Sequence, residues 1–241
     1  MNTKWFGILL AVAFCASQNV RAADAPTSPS TGVRGVVKIE GPVPKSAHVS
    51  MAADPSCARL HPGGVVTDDV ITDASGDLEN VIVFVSQGLP GGTFDPPPQP
   101  AVIEQKGCMY VPHVVAVQAN QKLEVLNSDN TMHNIHPMPA NNREWNKAQP
   151  PGSPLEESFS REEIAIPVRC NVHPWMHSYI AVFKHPYFSV TGKGGSFELK
   201  NLPPGTYTLQ AWHEKLGTST QTVTIGANET KSIAFVFKAA H

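Results

Sequence analysis

The sequence predicts an all-β protein. Short runs of β-branched and aromatic residues recur along the chain, and turn-forming residues separate them. The 22 prolines and 18 glycines among 241 residues favour many turns over long helices. No heptad pattern or tandem repeat is visible, and no stretch has a convincing helical pattern. Regular short strands with Gly/Pro turns are typical of β-sandwiches.

The predicted strands are rich in valine, isoleucine and aromatic residues. Residues 80–86, with the sequence Asn-Val-Ile-Val-Phe-Val-Ser, are almost continuously apolar and indicate a buried strand. Residues 45–78 and 137–162 are expected to be loops. The predicted strands lie at 33–40, 80–86, 110–117, 122–127, 164–169 and 179–184, then in a hairpin at 188–199, in a strand ending at Trp212, and at 218–225 and 232–237.

Residues 1–22 have the features of a secretory signal. Lys4 supplies the positive charge, an apolar core follows, and Val20 and Ala22 place small residues before a cleavage point at Ala23. An uncleaved membrane anchor is the alternative. Residues 23–32 form a Pro/Ser-rich linker. No other apolar stretch approaches the roughly 18 residues of a transmembrane helix. We therefore expect a periplasmic or secreted protein that has no membrane span after cleavage.

Removal of the signal leaves an odd number of cysteines. Cleavage removes Cys15 and leaves Cys57, Cys108 and Cys170. In an oxidising compartment two thiols are expected to pair. Because Cys170 lies among metal-ligand residue types, the predicted disulfide is Cys57–Cys108. Closing this loop could contribute about 4 kcal/mol in the loop-entropy description.

Charge and motif content exclude several function classes. The formal net charge of −2 and the absence of a basic run give no basis for binding nucleic acid. Aspartates and glutamates are scattered without an acid–base motif, and Ser153 and Ser160 lack a nucleophile-elbow context. We therefore do not expect an enzyme.

One short loop concentrates soft metal ligands. Residues 169–177 read Arg-Cys-Asn-Val-His-Pro-Trp-Met-His, and a second histidine-rich turn lies upstream at 127–136. One thiolate, two imidazoles and a weak thioether form the donor set of a blue-copper electron-transfer site, whereas zinc would favour Cys and His without Met. The candidate ligands are His133, Cys170, His173 and Met176.

The ligand loop resembles that of the amicyanin-type cupredoxins. The Cys-x2-His-x2-Met spacing and the upstream Asn-Ser-Asp…Met-His-Asn turn carry this resemblance, which covers about residues 105–184. It implies a Greek-key β-sandwich holding one type 1 copper, with Asn134 bracing the ligand loops. It also implies electron exchange with an unidentified redox partner protein. We expect His173, beside Pro174 and Trp175, to be the exposed edge of the site.

The flanking segments resemble a different sandwich. Gly35-Val-Val, the strand at 80–86 and the Leu202-Pro-Pro-Gly-Thr-Tyr turn look like the transthyretin-like, carboxypeptidase-regulatory fold. These pieces bracket the cupredoxin segment, as expected for a discontinuous sandwich with an inserted copper domain. The whole arrangement is similar to exported proteins of the methylamine-utilisation or plastocyanin-like type. The expected units are 33–104 (N-terminal part of the regulatory-like sandwich), 105–184 (cupredoxin) and 185–241 (C-terminal part of the regulatory-like sandwich).

Two other functions stay open beside electron transfer. Met132, Met138, His136 and His177 near the loop fit a copper carrier or sensor with an exchangeable ion. The third hypothesis is a metal-free sandwich that binds proteins or sugars, for which few aromatic platforms are available. We expect His136 and His177 to lie beside the metal without binding it. His113 is expected to have a structural role.

Overall fold

The computed structural model describes Met1 and residues 31–239. The predicted signal at 1–22 and most of the linker at 23–32 lie outside the described residues. Within them no helix is long and apolar enough to cross a membrane. The first elements are β1 (Gly32–Glu40), β2 (His48–Val49), α1 (Pro55–Leu60), β3 (Val65–Val66), β4 (Ile82–Gln87), β5 (Ala101–Lys106), β6 (Met109–Val111), β7 (Val114–Gln118) and β8 (Leu123–Asn127). The remaining elements are β9 (His133–Pro137), β10 (Lys147–Gln149), β11 (Leu155–Glu157), β12 (Glu163–Arg169), β13 (His177–Phe183), β14 (Phe188–Val190), β15 (Ser196–Lys200), β16 (Gly205–His213), β17 (Gly217–Ile225) and β18 (Thr230–Lys238).

Two β-sandwiches form from these strands, and the all-β prediction is confirmed. The flanking sandwich consists of the sheets β15-β1-β18 and β14-β4-β16-β17. Their shared core holds Val33, Val37 and Phe235 from the first sheet and Val83 and Leu209 from the second. Because β1 and β4 precede the other sandwich in sequence and β14–β18 follow it, the flanking sandwich is discontinuous.

The central sandwich consists of the sheets β10-β9-β12-β13-β7 and β11-β8-β5-β6. Its strands alternate, with inward apolar residues such as Leu123 and Val125 of β8 fully buried, as period-2 patterning requires. The sequence places the start of this unit at residue 105. In the structure β5 begins at Ala101 and pairs in parallel with β8.

A segment that we call the cover segment, residues 48–66, packs on the central sandwich rather than on the flanking one. It comprises the β2–β3 ladder and α1. Val49, Met51 and Cys57 join the central core. Helix α1 is absent from the sequence prediction because six residues give no periodic signal. Asp54 caps its N-terminus and a proline opens it, which is the usual chemistry of a helix start.

The position of strand β4 between two apolar clusters explains why its sequence is almost entirely apolar. Val83 and Val85 face the core of the flanking sandwich, whereas Ile82 and Phe84 face a third cluster shared with β7 and β13. The rings of Phe84 and Phe183 lie 5.0 Å apart between centroids. The two sandwiches therefore meet through an apolar interface, and both faces of β4 are buried, as the sequence predicts for this strand.

Two predicted strand units are divided in the structure. The stretch 110–117 becomes β6 and β7, which belong to opposite sheets of the central sandwich. Pro112 lies between them and has no N–H for a ladder. The expected hairpin at 188–199 becomes β14 and β15, which lie in opposite sheets of the flanking sandwich. There the Thr191 hydroxyl accepts from the Val81 amide at 3.0 Å and donates to the Leu78 carbonyl at 2.8 Å. This anchors the chain where it changes sheets.

The long polar loop expected at 137–162 is partly ordered into strands. β10 pairs with β9, and β11 pairs with β8, so the loop extends both sheets of the central sandwich. Short polar strands of this kind are hard to recognise from composition, because one face is exposed to solvent. Hydrogen bonds to the neighbouring strand hold them in place.

Candidate metal centre

Adjacent strands deliver the candidate ligands to one end of the central sandwich. His133 opens β9, Cys170 directly follows β12, and Met176 directly precedes β13. β12 pairs with both β9 and β13, so the turn before β9 and the β12–β13 loop lie side by side. The tight Cys-x2-His-x2-Met loop is thus the connection between two antiparallel neighbours.

Three donor side chains converge in the interior. The two imidazole Nδ1 atoms of His133 and His173 lie 2.9 Å apart, and the Cys170 sulfur lies 3.8 Å from His173 Nδ1. Ligand atoms of all three residues fall within 4.8 Å of one another. Their exposed fractions are 0%, 3% and 2% for His133, Cys170 and His173, so the cluster is shielded from water.

Met176 belongs to the same closed loop. Its side chain is fully buried in the core that also contains Cys170. The Cys170 amide donates to the Met176 carbonyl at 3.1 Å, and the Met176 amide donates to the His173 carbonyl at 2.9 Å. These two bonds fix the spacing of Cys170, His173 and Met176 through the backbone.

The environment of Cys170 favours a thiolate. Burial raises the pKa of its thiol, but the His133 side chain and the backbone around it outweigh burial and lower the pKa to about 7. One of these contacts is the His173 amide, which donates to the Cys170 sulfur at 3.3 Å. Cys170 is also the free cysteine among the described residues, and the structure contains the disulfide between Cys57 and Cys108.

Each histidine is held by a carboxylate on its outer nitrogen. His133 Nε2 lies 2.9 Å from Asp129 Oδ2, and Asp129 also accepts from the amides of Gly107 and Cys108, both at 2.7 Å. Burial lowers the pKa of His133, but hydrogen bonds to Asp129 and Cys170, together with their charges, outweigh burial and raise the pKa to about 9. Such outer partners fix the orientation of a metal-binding imidazole and raise its basicity.

Asp54 plays the same part for His173. Its Oδ2 lies 3.0 Å from His173 Nε2, while its Oδ1 accepts from the amides of Ser56 and Cys57 at the start of α1. The hydrogen bond to His173 is the main reason that the pKa of Asp54 falls to about 2. Helix α1 and the ligand loop are thus joined through one carboxylate.

Sequence reasoning missed both aspartates, although each had a local signal. Asp129 precedes His133 by four residues in the Asn-Ser-Asp turn. Asp54 stands before a proline, where a helix cap is common. Their roles depend on contacts across the fold, and the Asp54–His173 pair spans 119 residues of sequence. No short pattern reports such a distance.

Asn134 links the two ligand-bearing turns. Its Oδ1 accepts from the Asn171 amide at 2.5 Å, and its Nδ2 donates to Asn146 at 2.6 Å. Its own carbonyl accepts from the Tyr110 hydroxyl at 2.6 Å. The side chain therefore ties β9 to the residue after Cys170, which is the bracing contact that the cupredoxin resemblance implies.

The expected exposed edge at His173 is wrong. The cover segment lies over this histidine, and Cys57 Sγ approaches its Nε2 to 3.8 Å beside the Asp54 contact. On the other side the Trp175 ring packs at 5.0 Å between centroids, and its indole N–H donates to the Cys108 carbonyl at 3.0 Å. No sequence pattern predicts that residues 48–66 lie over the ligand loop, because that placement depends on the disulfide partner and on Asp54.

Comparisons with known proteins find partial likenesses. The sequence model of the family described as polysaccharide lyase family 4, domain II, matches residues 164–233, which extend from β12 into β18. No curated protein matches the chain.

Three solved structures illustrate the structural likenesses. A copper-containing nitrite reductase from Thermus scotoductus is 17% identical, with a TM-score of 0.34, covering 42% of this chain and 26% of that one. A purple cupredoxin from Nitrosopumilus maritimus is 21% identical, with a TM-score of 0.30, covering 34% and 98%. A Cu(I) amicyanin variant is 16% identical, with a TM-score of 0.31, covering 34% and 81%. This chain therefore spans about a quarter of the nitrite reductase.

The chemistry available at the site follows from its donor atoms. A buried thiolate with two imidazoles binds soft or borderline transition ions and discriminates against hard cations such as Mg²⁺ and Ca²⁺. The two Nδ1 atoms face one another at 2.9 Å without a carboxylate between them, while both Nε2 atoms have carboxylate partners. The inner nitrogens of the two rings converge, and carboxylates hold the outer nitrogens. This is the usual arrangement of metal-binding histidines.

Proposed function

We propose that this chain is an exported protein that binds one type 1 copper ion and transfers electrons. The observation that carries the proposal is the buried convergence of Cys170, His133 and His173 in a loop that also buries Met176. Type 1 copper supplies reversible one-electron chemistry when it is bound to such a donor set. The proposal assigns His133, His173 and Cys170 as the strong ligands and Met176 as the weak axial ligand.

The surrounding residues hold the ligands in place before any ion arrives. Asp129 and Asp54 fix the two imidazoles, and Asn134 ties the ligand turns together. Burial of the cluster excludes water. A site that keeps one geometry through oxidation and reduction needs little reorganisation, and these contacts supply that rigidity. They also oppose the rapid ligand exchange that a copper carrier or sensor would need.

The proposed partner surface lies beside the ligands rather than at His173. Met132 and Val172 are 51% and 53% exposed although apolar, and each is adjacent in sequence to a ligand histidine. Pro174 is exposed next to them in the same loop. Exposed apolar residues at a redox centre suit a transient encounter with a redox partner protein.

Export to the periplasm or beyond is part of the proposal. The predicted signal at 1–22 provides the route, and the disulfide between Cys57 and Cys108 supports an oxidising compartment. The free thiol of Cys170 is compatible with such a compartment because it is buried and committed to the metal site.

The proposal is tested by adding Cu(II) to the purified metal-free protein. We expect an intense visible absorption from thiolate-to-copper charge transfer, with one copper bound per chain, and reversible bleaching by a mild reductant. Cys170→Ser should abolish the colour. His136→Ala is the matched control, because His136 contacts Glu144 and Asn171 outside the cluster. A colourless complex, or colour that persists in Cys170→Ser, would contradict the proposal.

A further inference from the structure

A second cluster of side chains that could bind a metal lies where the residues after the cover segment meet both sandwiches. Asp68 and Asp69 follow β3, His113 precedes β7, His177 opens β13, and Glu214 begins the turn between β16 and β17. Four separate regions of sequence thus bring two imidazoles and three carboxylates together. His113 and Glu214 are 4% and 3% exposed in their side chains, so this side of the cluster is internal.

The donor atoms of this cluster lie close together. His113 Nδ1 lies 3.1 Å from Asp68 Oδ2, and the rings of His113 and His177 meet edge to face at 5.0 Å between centroids. Ligand atoms of Asp68, His113 and His177 all fall within 4.8 Å of one another. Two imidazoles and one carboxylate form a donor set used for zinc and other divalent transition ions.

Glu214 holds His113 from the opposite side. Its Oε1 pairs with His113 Nε2, which leaves Nδ1 directed toward Asp68 and His177. A carboxylate on one nitrogen of a histidine orients the other nitrogen for a metal ion. The same pattern appears at the first centre, where Asp54 and Asp129 hold the outer nitrogens.

Several buried polar atoms in this cluster have no hydrogen-bond partner. They are His113 Nδ1, Asp68 Oδ1 and Glu214 Oε2. His113 Nδ1 is close to Asp68, but the two groups do not have hydrogen-bond geometry. Unpaired buried polar atoms are costly, and a cation bound among them would satisfy them together.

The balance of charge also favours a cation. Among the described residues, Lys215 is the one lysine or arginine that forms salt bridges with the cluster, and it pairs with two of the three carboxylates, at 3.4 Å from Asp69 and 3.8 Å from Glu214. A cavity of about 420 Å³ opens beside the cluster and is lined in part by Asp69, Arg169, His177 and Lys215. Asp69 Oδ1 lies 3.1 Å from His177 Nε2 at this open side. An ion could enter from the cavity and keep a coordination position facing it.

We propose that Asp68, His113 and His177 bind a divalent transition-metal ion, with Glu214 positioning His113 and Asp69 at the open side. His177 directly follows the predicted axial ligand Met176 in sequence, so the second ion lies close to the first centre. Its ligands come from the segment after the cover segment and from the central sandwich, and Glu214 comes from the flanking sandwich. Binding should therefore strengthen the docking of all three.

The experiment uses zinc, which has no redox chemistry of its own, and a full-length variant whose first centre is disabled. In the His133→Ala, Cys170→Ser background we expect calorimetry to show one Zn²⁺ bound per chain, accompanied by a rise in Tm. Adding His177→Asn or Asp68→Asn should remove this stoichiometric binding. Adding Glu214→Gln should weaken it by about 10–100-fold, as loss of an outer partner does.

Controls separate a lost ligand from a lost fold. His48→Ala, which removes an exposed histidine outside both clusters, should leave Zn²⁺ binding unchanged. Far-UV circular dichroism must show that each variant is folded. The proposal is overturned if the folded parent variant binds no Zn²⁺, or if binding is unchanged in both His177→Asn and Asp68→Asn.

Discussion

The most informative residues of the first centre are the two aspartates whose contacts with the ring nitrogens no sequence pattern revealed. The candidate ligands His133, Cys170 and His173 can be recognised from their types and spacing alone. Asp54 and Asp129 cannot, because a carboxylate has many uses and only its position against a ring nitrogen defines this one. Residue chemistry therefore indicates which ion could bind, whereas the three-dimensional contacts show how firmly its ligands are held.

Substituting Asp54 by Asn separates two roles of one side chain. Asn caps helices as well as Asp does, so Asp54→Asn should preserve the start of α1. The charge facing His173 Nε2 is lost, and we expect copper affinity to fall by about 10–100-fold. Competition with a calibrated copper chelator measures this.

Asp129→Asn should behave similarly through His133, whereas Asp95→Asn, at an exposed position, should have no effect. Unchanged affinity in both Asp54→Asn and Asp129→Asn would show that the carboxylates are unrelated to metal binding.

Among the elements, β12 is fixed to the loop before β10 by a single glutamate. Glu163 accepts from the amides of Ala140, Asn141 and Asn142 at 2.5, 3.0 and 3.1 Å. Burial raises the pKa of this carboxyl, but the hydrogen bonds from the Asn142 side chain and from these amides outweigh burial and hold the pKa below its ordinary value. The charged form is therefore the one that the folded state prefers.

Glu163→Gln should lower the free energy of unfolding at neutral pH by about 1–3 kcal/mol, the cost of weakened bonds to buried amides. Because the folded-state pKa is lowered, the stabilisation is fully present above the unfolded pKa near 4.5 and is lost as pH falls below it. Denaturant titrations at several pH values measure the difference between wild type and variant.

The adjacent Glu162 provides the control for this prediction. Glu162 is 40% exposed in its side chain and pairs with Lys184 only at 3.8 Å, so Glu162→Gln should have little effect. A difference between wild type and Glu163→Gln that stays constant down to pH 3 would refute the assignment.

Element types were easier to predict than element partners. The strand at 80–86 is recognisable because burial on both faces leaves no place for polar residues. For 110–117 and 188–199 the strand residues are predicted correctly, but no local pattern shows that the chain changes sheets within each stretch. The chain changes sheets at Pro112 and at the Thr191 hydrogen bonds. These changes depend on which surfaces pack together, which is a property of the whole fold.

Across the whole molecule, the interface between sandwiches is apolar and closely packed. Phe84 and Phe183 are 5% and 0% exposed at its centre. Phe84→Ala should lower the free energy of unfolding by about 3–5 kcal/mol, the usual cost of such a truncation. Because the interface couples the two sandwiches, we expect wild-type unfolding to be one transition by circular dichroism and by loss of copper colour.

In Phe84→Ala those two signals should separate, since the central sandwich would keep its colour after the flanking sandwich opens. Phe94→Ala, which alters a partly buried ring packed only on the flanking core, is the control and should not separate them. Coincident transitions in Phe84→Ala would indicate that coupling does not pass through this contact.

The parallel pairing of β1 with β18 has a consequence for how the protein is made. All nine residues of β1, from Gly32 to Glu40, pair with partners from Thr230 to Lys238. Strand β1 therefore leaves the ribosome long before β18, the partner that completes its sheet, while residues 101–183 can already form the central sandwich. Long-range pairing of this kind is slow and leaves an open strand edge in the meantime. For the export that we propose, this topology favours transport of the unfolded chain, because β1 and β18 then both reach the destination before the flanking sandwich closes.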